Sequence, residues 1–219
     1  MKVDNLARAV EATVEQPEAA WRSYDRDSGL GPVLEATLRV FTNFGYHGTT
    51  VRMIAKEAKM SVPGLYYHFS SKQEMLVVLL RHSSEELLRR AHAALQEGGD
   101  SPRRRFCLLI ENIVLYMTHR RQLAHLAREM QFLEPPHRKA HIARRDELEG
   151  LVRREIEAGR RVGVFRAPDV PETTRAVWVL CRSVADWYTP TGPKSPAELA
   201  DAYIGFALAL VGDRTEGEG

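Results

Sequence analysis

The 219-residue chain is 44% hydrophobic and 27% charged, and its formal net charge is only +2. This excludes a polycation that holds polyanions over its whole surface, so any such binding must be local. No apolar run approaches the ~18 residues of a membrane span, and the charged N-terminus does not resemble a signal peptide. The two cysteines, Cys107 and Cys181, form no CxxC motif, which favours a reducing compartment. We therefore expect a soluble cytoplasmic protein without a membrane partner.

Hydrophobic residues at helical spacing run through the chain and predict an all-α protein. Residues 5–23 are typical of a weak helix or a flexible arm. A first helix is expected to begin at Pro32, and Thr50 is expected to cap a second one. Ser61 can cap a short third helix that reaches only to about Phe69.

A long fourth helix is expected to follow Ser71, which forms an S-x-x-E capping box with Glu74. Further helices are predicted at about 102–118, 121–133, 136–159, 171–188 and 196–212. The predicted organisation is an N-terminal arm, a three-helix domain, a larger helical domain and a disordered tail. These four parts cover residues 1–28, 29–75, 76–212 and 213–219.

The second and third helices form a candidate helix-turn-helix, because about three residues join them and the third is short with a polar face. Leu65 and Phe69 have the spacing of core residues, which leaves Tyr66, Tyr67 and His68 on the outside. Tyrosine and histidine side chains can contact phosphates and base edges in double-stranded DNA. Tyrosines also pack structurally with a solvated hydroxyl, so the pattern alone leaves both interpretations open.

Helix starts supply further candidates for phosphate contacts, because their free N–H groups favour anions. Such positions are held by Thr49, Thr50, Arg52 and Lys72. The complete set of candidate DNA-binding residues is Thr49, Thr50, Arg52, Ser61, Val62, Pro63, Gly64, Tyr66, Tyr67, His68 and Lys72.

The string FTNFGYHGTTVRMIAKEAKMSVPGLYYHFSSKQEML resembles the DNA-binding signature of TetR-family transcriptional regulators. Aromatic-Gly-Tyr, Gly-Thr-Thr, Ile-Ala, Ser, Leu-Tyr, His-Phe and Ser-Lys follow in order at fixed spacing, over about Val33 to Leu80. The resemblance implies a helix-turn-helix domain and a larger ligand-binding and dimerisation domain. It also implies a homodimer that binds a pseudo-palindromic operator and is released by an inducer. Family DNA contacts then correspond to Thr50, Val62, Pro63, Tyr66, Tyr67, His68 and Lys72.

Two residues depart from the family pattern. Lys59 stands in the turn where helix-turn-helix proteins often have Gly, and a left-handed conformation there costs a lysine about 1 kcal/mol. Gly64 stands where many relatives have a hydroxyl residue that contacts phosphate. One phosphate contact is therefore expected to be missing, with closer backbone approach in its place.

The resemblance also implies that the last two helices form a four-helix bundle across the dimer. Their expected apolar faces are Val177, Leu180, Cys181 and Val184, followed by Leu199, Tyr203, Phe206 and Leu210. Two-fold symmetry suits such a protein, because one short helix per subunit offers few DNA contacts.

The segment from GVFR to ADWYTPTGPKSPAELADAY resembles a TetR branch that controls fatty-acid and steroid catabolism and responds to acyl-CoA thioesters. Arg175, Trp178 and Arg182 are spaced along one helix, where an indole can stack on adenine and arginines can bind phosphates. Packing and ion-pair roles remain open for each of them. An apolar cavity with a few polar groups is expected from Tyr116, His119, Arg128, Met130 and Phe132.

Two other functions stay open: control of efflux or detoxification genes by a hydrophobic drug-like inducer, and ligand-independent architectural DNA binding. An enzyme is not expected, because the chain has no GxSxG, P-loop or GxGxxG motif. His137 and His141 are four residues apart but lack a third metal ligand nearby, so they are interpreted as a solvated helix face. No cofactor or metal is expected, and the inducer is the one small molecule.

Overall fold

The predicted all-α fold is confirmed in a computed structural model, which describes residues 20–24 and 28–214 and contains no strand in those ranges. The helices in chain order are α1 Pro32–Gly48, α2 Val51–Glu57, α3 Val62–His68, α4 Lys72–Glu97, α5 Pro102–His119, α6 Arg121–Leu126, a 3₁₀ turn Ala127–Phe132, α7 Pro135–Arg161, α8 Val170–Arg182, α9 Val184–Trp187 and α10 Pro196–Val211. Within these ranges no helix is long and apolar enough to cross a membrane.

Two of the predicted helices are divided in the structure. The range 121–133 becomes α6 and the 3₁₀ turn, and the range 171–188 becomes α8 and α9. The predicted tail starts with ordered residues, since Arg103 donates to the Asp213 carboxylate at 2.8 Å. The expectations for residues 1–19 and 215–219 lie outside the described residues.

The helix starts follow the capping chemistry of the sequence. The side-chain oxygens of Thr50, Ser61 and Ser71 each accept a hydrogen bond from the backbone N–H three residues later. The box expected at Ser71 is half formed, because the Glu74 carboxylate accepts from the N–H and hydroxyl of Ser70 at 2.6 and 2.7 Å. These bonds hold the pKa of Glu74 below its usual range.

Two hydrophobic cores lie along α4. Its first half contributes Met75, Leu76, Leu79 and Leu80 to the core of α1, α2 and α3, together with residues of α6. Its second half belongs to the core of the remaining helices. We call residues 28–80 the N-terminal domain and residues 81–214 the C-terminal domain. Because α4 is continuous, a displacement of its second half is transmitted to the first.

Candidate DNA-binding surface and ligand cavity

The outward face of α3 carries rings with polar groups. Leu65 is fully buried in the core of the N-terminal domain, whereas Tyr66 is 49% and Tyr67 88% exposed. His68 is exposed and meets the Tyr67 ring edge-on, with centroids 5.5 Å apart. Pro63 is exposed beside them in the first turn of the helix. This face can present hydroxyl, imidazole and apolar groups to a nucleic-acid groove.

The start of α2 contributes a cationic side chain, Arg52, to this surface. Thr50 is exposed and caps the helix, and Arg52 is exposed in its first turn. Within the described ranges the Arg52 guanidinium has no hydrogen bond or ion pair with another residue. The small side chain of Ala55 is buried where α2 meets α3. A guanidinium at a helix N-terminus is suited to a phosphate contact.

Of the two expected departures, Lys59 lies in the turn between α2 and α3, and Gly64 lies in the first turn of α3. Lys59 has a φ of +54°, so the left-handed conformation that was expected to be costly for a lysine is confirmed. Gly64 has an ordinary φ, and its N–H donates to the Ser61 hydroxyl at 3.1 Å. A Cβ at Gly64 would lie 3.1 Å from that same oxygen, so a larger residue would press on the cap of α3.

Two of the candidate DNA-binding residues have their polar atoms bound to backbone carbonyls of the N-terminal domain. Thr49 is 2% exposed, and its hydroxyl donates to the Gly45 carbonyl at 2.7 Å. The Lys72 ammonium donates to the carbonyls of Tyr46 and Thr49 at 2.6 and 2.7 Å and lies 4.3 Å from the centre of the Tyr46 ring. Burial lowers the pKa of Lys72. The Lys72 side chain thus joins α4 to the end of α1 and the start of α2, and the Thr49 hydroxyl is bound to the end of α1.

A cavity of about 290 Å³ lies mainly in the C-terminal domain, lined by residues of α4 to α8 and of the 3₁₀ turn, with Leu80 at its border with the N-terminal domain. Its walls are mainly apolar, as Leu80, Leu87, Met117, Leu148 and Trp178 illustrate. A concave apolar site with few polar groups is the usual form of a small-molecule site. The cavity therefore suits the apolar part of a ligand.

Four residues that were expected to bind a ligand line this cavity: Tyr116, Arg175, Trp178 and Arg182. Trp178 is only 5% exposed, while both arginines are exposed, so the indole lies inside and the guanidinium groups lie toward solvent. Arg175 pairs with Glu172 at 2.6 Å. The Arg182 guanidinium makes no hydrogen bond or ion pair within the described part of the chain.

Tyr116 is a buried polar residue in the wall of the cavity. It donates a hydrogen bond to the Ser83 carbonyl at 3.0 Å and lies 3.0 Å from the Ser83 hydroxyl. Burial raises the pKa of Tyr116, which keeps its hydroxyl protonated. The Ser83 hydroxyl also lines the cavity and was not singled out in the sequence.

Three expected ligand residues do not line the cavity, although Met130 does. The His119 ring stacks on the Tyr24 ring with centroids 4.4 Å apart. Arg128 pairs with Asp186 at 2.7 Å. Phe132 stacks on Tyr46 and meets His47, with centroids 5.9 and 4.1 Å apart, so it joins the 3₁₀ turn to the N-terminal domain.

Sequence reasoning also missed His141, Arg145 and Glu149 as cavity residues. His141 was assigned to a solvated face, but it is only 9% exposed. Burial lowers the pKa of His141, and the nearby Arg145 and Arg144 lower it further. Its i, i+4, i+8 spacing to Arg145 and Glu149 marks one face of α7, which is the signal that could have identified all three.

Two helices expose apolar side chains on the surface of the C-terminal domain. Val179 on α8 is 51% exposed, and Phe206 and Leu210 on α10 are 55% and 43% exposed. Most of the residues that were expected on a dimer face belong instead to the protomer's own core: Val177, Cys181, Val184, Leu199 and Tyr203. Of the expected faces, only Phe206 and Leu210 are exposed large apolar residues.

Family models match both halves of the chain. Residues 33–79 match bacterial regulatory proteins of the tetR family, and residues 99–211 match the tetracyclin repressor-like C-terminal domain. The second match alone spans more than half of the chain. The chain belongs to the TetR family of transcriptional regulators. The helix-turn-helix of α2 and α3 is thus the DNA-binding element of a TetR-family regulator.

Solved structures of similar proteins have the same fold over most of both chains. PfmR from Thermus thermophilus, a TetR-family regulator, is 29% identical with a TM-score of 0.75, over 81% of this chain and 97% of PfmR. The ketosteroid transcriptional regulator KstR2 of Mycobacterium tuberculosis is 26% identical with a TM-score of 0.75, over 81% of this chain and 91% of KstR2.

AibR in complex with isovaleryl coenzyme A and operator DNA shares the fold at 20% identity and a TM-score of 0.72, over 83% of this chain and 97% of AibR. No curated protein matches the sequence.

Proposed function

We propose that this TetR-family regulator is a ligand-responsive repressor. It binds a pseudo-palindromic operator as a homodimer and is released by an acyl-CoA thioester from lipid or steroid catabolism. The observation that carries the proposal is the cavity in the C-terminal domain, with its apolar interior and its guanidinium groups toward solvent. An acyl chain requires the apolar interior, and an anionic headgroup requires the guanidinium groups toward solvent.

The proposed DNA contacts come from the exposed residues of α2 and α3. Arg52 and the Thr50 hydroxyl are suited to phosphates, and the Tyr66, Tyr67 and His68 side chains to the major groove. Ser61, Val62, Pro63 and Gly64 are placed at the start of the helix that enters the groove. Thr49 and Lys72 support this surface from behind, because their polar atoms are bound to backbone carbonyls.

The proposed dimer face consists of the exposed apolar side chains of α8 and α10. Val179, Phe206 and Leu210 are large and apolar, and Gly205 and Ala209, which directly precede Phe206 and Leu210, are small and exposed. Exposed apolar side chains grouped in this way mark an interaction surface. Alternating large and small residues also allow two copies of α10 to pack closely around a two-fold axis.

The proposed inducer places its acyl group between the helices and its phosphates at the cavity mouth. Arg182 is the main candidate for the anionic group, because its guanidinium is exposed and without a partner among the described residues. Arg145 and Arg175 stand beside it, while Glu149 would oppose a closely placed anion. The volume of about 290 Å³ suits an acyl group rather than a complete CoA thioester. KstR2, named as a ketosteroid regulator, supports a lipid or steroid origin.

Release requires that the ligand prefers a conformation in which the two N-terminal domains no longer match the half-site spacing. The continuous helix α4 supports this mechanism. Its residues Ser83 and Leu87 line the cavity, and Leu76 and Leu79 lie in the core behind the DNA-binding surface. A ligand that moves the second half of α4 therefore moves the support of α3.

The proposal is tested by operator release. The DNA upstream of the protein's own gene is bound to the purified protein and titrated with acyl-CoAs of increasing chain length, the corresponding free acids and a hydrophobic cationic dye. We expect release by CoA thioesters and weaker release by free acids. Release by the dye alone would support the drug-responsive alternative, and no release by any compound would support ligand-independent binding.

Two matched variants examine the cavity mouth. Arg182→Gln should bind the operator normally and need about 10- to 100-fold more acyl-CoA for release, since hydrogen bonds to charged groups are worth about 1.5–3 kcal/mol. Arg153→Gln removes an exposed arginine of α7 that pairs with Glu157 and does not line the cavity, so its release should be unchanged. Equal behaviour of the two variants would contradict the assignment of Arg182.

A further inference from the structure

A short segment that precedes the N-terminal domain is fastened to the C-terminal domain. Trp21 is 2% exposed, belongs to the core of the C-terminal domain, and donates from Nε1 to Glu97 at 2.7 Å. Arg22 pairs with Glu97 and with Glu111, each at 2.6 Å. We call residues 21–24 the strap. Its attachment points lie on α4 and α5.

The Tyr24 ring is enclosed by cations and an imidazole. It stacks on His119 at 4.4 Å, and the guanidinium groups of Arg90 and Arg120 lie 3.9 and 5.3 Å from its centre. Arg90 also donates to the carbonyls of Trp21 and Ser23 at 2.7 and 3.0 Å. The strap is thus held through its rings and through its backbone.

A buried carboxylate fixes the two arginines that hold Tyr24. Glu86 is 3% exposed and lies 2.9 Å from Arg90 and 3.2 Å from Arg120. Removing one partner from a buried charge cluster leaves the remaining charges uncompensated, so these groups tend to move as a unit. Any displacement of Arg120 is therefore passed on to the Tyr24 ring.

The ligand cavity lies among the same two helices. Ser83 and Leu87 of α4 line the cavity, and Glu86 between them holds the arginines of the strap site. Tyr116 in the last turn of α5 lines the cavity, and Arg120, directly after the end of α5, holds Tyr24. A ligand that changes the spacing of α4 and α5 must therefore change the site to which the strap is bound.

The chain after the strap continues into the N-terminal domain. Residues 25–27 connect it to Ser28, whose carbonyl lies 2.7 Å from Nε2 of His82. Leu30 follows and is 4% exposed in the core of the N-terminal domain, directly before α1. The chain that follows the strap therefore enters the N-terminal domain at a point separate from α4.

We propose that Trp21, Arg22 and Tyr24 are positioning residues, which fix the start of α1 to the cavity-lining helices and transmit ligand binding to the DNA-binding surface. This inference rests on the proposed function. It predicts that a loosened strap leaves operator binding largely intact and reduces ligand-driven release. The quantity that measures this coupling is the ratio of operator Kd values with and without ligand.

Tyr24 provides a matched pair of variants. Its hydroxyl is buried without a hydrogen-bond partner among the described residues, so Tyr24→Phe keeps every ring contact and should keep the coupling. Tyr24→Leu removes the stack on His119 and the cation–π contacts with Arg90 and Arg120. We expect the coupling ratio to fall at least five-fold in Tyr24→Leu.

Arg22 provides a second pair, in case the Tyr24→Leu variant folds poorly. Arg22→Gln breaks the ion pairs with Glu97 and Glu111 while Trp21 stays in place, and it should lower the coupling ratio several-fold. Arg103→Gln removes a comparable ion pair from α5, the one with Asp213 at 2.8 Å, at a point away from the strap. Its coupling ratio should equal that of the wild type.

The experiment measures operator binding by fluorescence anisotropy for the full-length protein and the four variants, with and without decanoyl-CoA, after circular dichroism has established that each is folded. Release of the wild type, Tyr24→Phe and Arg103→Gln, with retention of Tyr24→Leu and Arg22→Gln on DNA, supports the proposal. Equal release of all five proteins overturns the strap inference and leaves the proposed function standing. If neither decanoyl-CoA nor the longer and shorter acyl-CoAs release the wild type, both are overturned.

Discussion

Lys72 and Arg52 are both cations near a helix start, but the structure gives them different tasks. The Lys72 ammonium is bound to two carbonyls that join α1 to α2, whereas the Arg52 guanidinium is exposed at the start of α2. We predict that Lys72→Met lowers the stability of the protein and weakens operator binding without changing its salt dependence. Arg52→Ala should weaken operator binding and its salt dependence together, with little change in stability.

The size of the Lys72 effect follows from its contacts. Hydrogen bonds to a charged group contribute about 1.5–3 kcal/mol each. The ammonium is only partly buried, and the carbonyls of Tyr46 and Thr49 can bind water after the substitution, so we take about 1.5–2.5 kcal/mol for the two bonds together, less than their full sum. With about 0.5 kcal/mol for the cation–π contact on the Tyr46 ring, Lys72→Met should cost about 2–3 kcal/mol.

The size of the Arg52 effect follows from counterion release. Each phosphate contact contributes about 0.9 to the slope of log affinity against log salt concentration, so a dimer that loses two contacts should lose about 1.8. The contribution of counterion release vanishes at 1 M salt. A slope of 1.8 between 1 M and 0.15 M salt therefore corresponds to a loss of about 30-fold in operator affinity at 0.15 M salt. The free energy of unfolding should stay within about 0.5 kcal/mol of the wild type.

Urea denaturation at a fixed protein concentration measures the first quantity, because the stability of a dimer depends on concentration. Fluorescence anisotropy on one operator fragment at several salt concentrations measures the second. A Lys72→Met protein of unchanged stability whose salt slope falls by about 1.8 would show that Lys72 contacts phosphate. That result would refute the assignment of Lys72 to the interior of the N-terminal domain.

Two further predictions concern the turn and the dimer face. Lys59→Gly should raise the free energy of unfolding by about 0.5–1 kcal/mol, because glycine removes the left-handed strain at a φ of +54°. Lys56→Gly within α2 should instead lower the free energy of unfolding by about 1 kcal/mol. Urea denaturation compares the two variants, and equal destabilisation would contradict the strain argument. Phe206→Glu should convert a dimer into monomers in analytical ultracentrifugation, while Asp201→Lys, an exposed charge change on the same helix, should leave it dimeric.

Much of the secondary structure could be predicted because its signals are local. Thr50, Ser61 and Ser71 cap helices where the sequence indicated, since a capping oxygen needs only an N–H three residues later. The left-handed conformation of Lys59 was indicated by the resemblance, because helix-turn-helix proteins often have Gly at this position of the turn. The division of the helix predicted at 171–188 lacked such a signal, because no Gly or Pro marks Ser183.

The sites were predicted less completely because they depend on tertiary contacts. Helical spacing shows which residues share a face, but it does not show which neighbour covers that face. His119 and Phe132 therefore lie against Tyr24 and α1 instead of the cavity, and Thr49 and Lys72 turn inward. The strap was unpredictable for the same reason, since its partners are distant in sequence.

The DNA-binding surface is only weakly cationic. A small difference in the ligand's binding free energy between two conformations is therefore enough to release the protein from DNA. Residues 28–80 contain five Lys or Arg against three Glu, and apart from the Arg39–Glu57 pair at 2.8 Å and the bound Lys72, the exposed cations are Arg52, Lys56 and Lys59. Three cations per domain are too few for tight binding by one domain, so in the proposed dimer the operator is expected to engage both domains. A ligand then needs only to misplace one domain, and about 2.7 kcal/mol of preference for that state gives a 100-fold release.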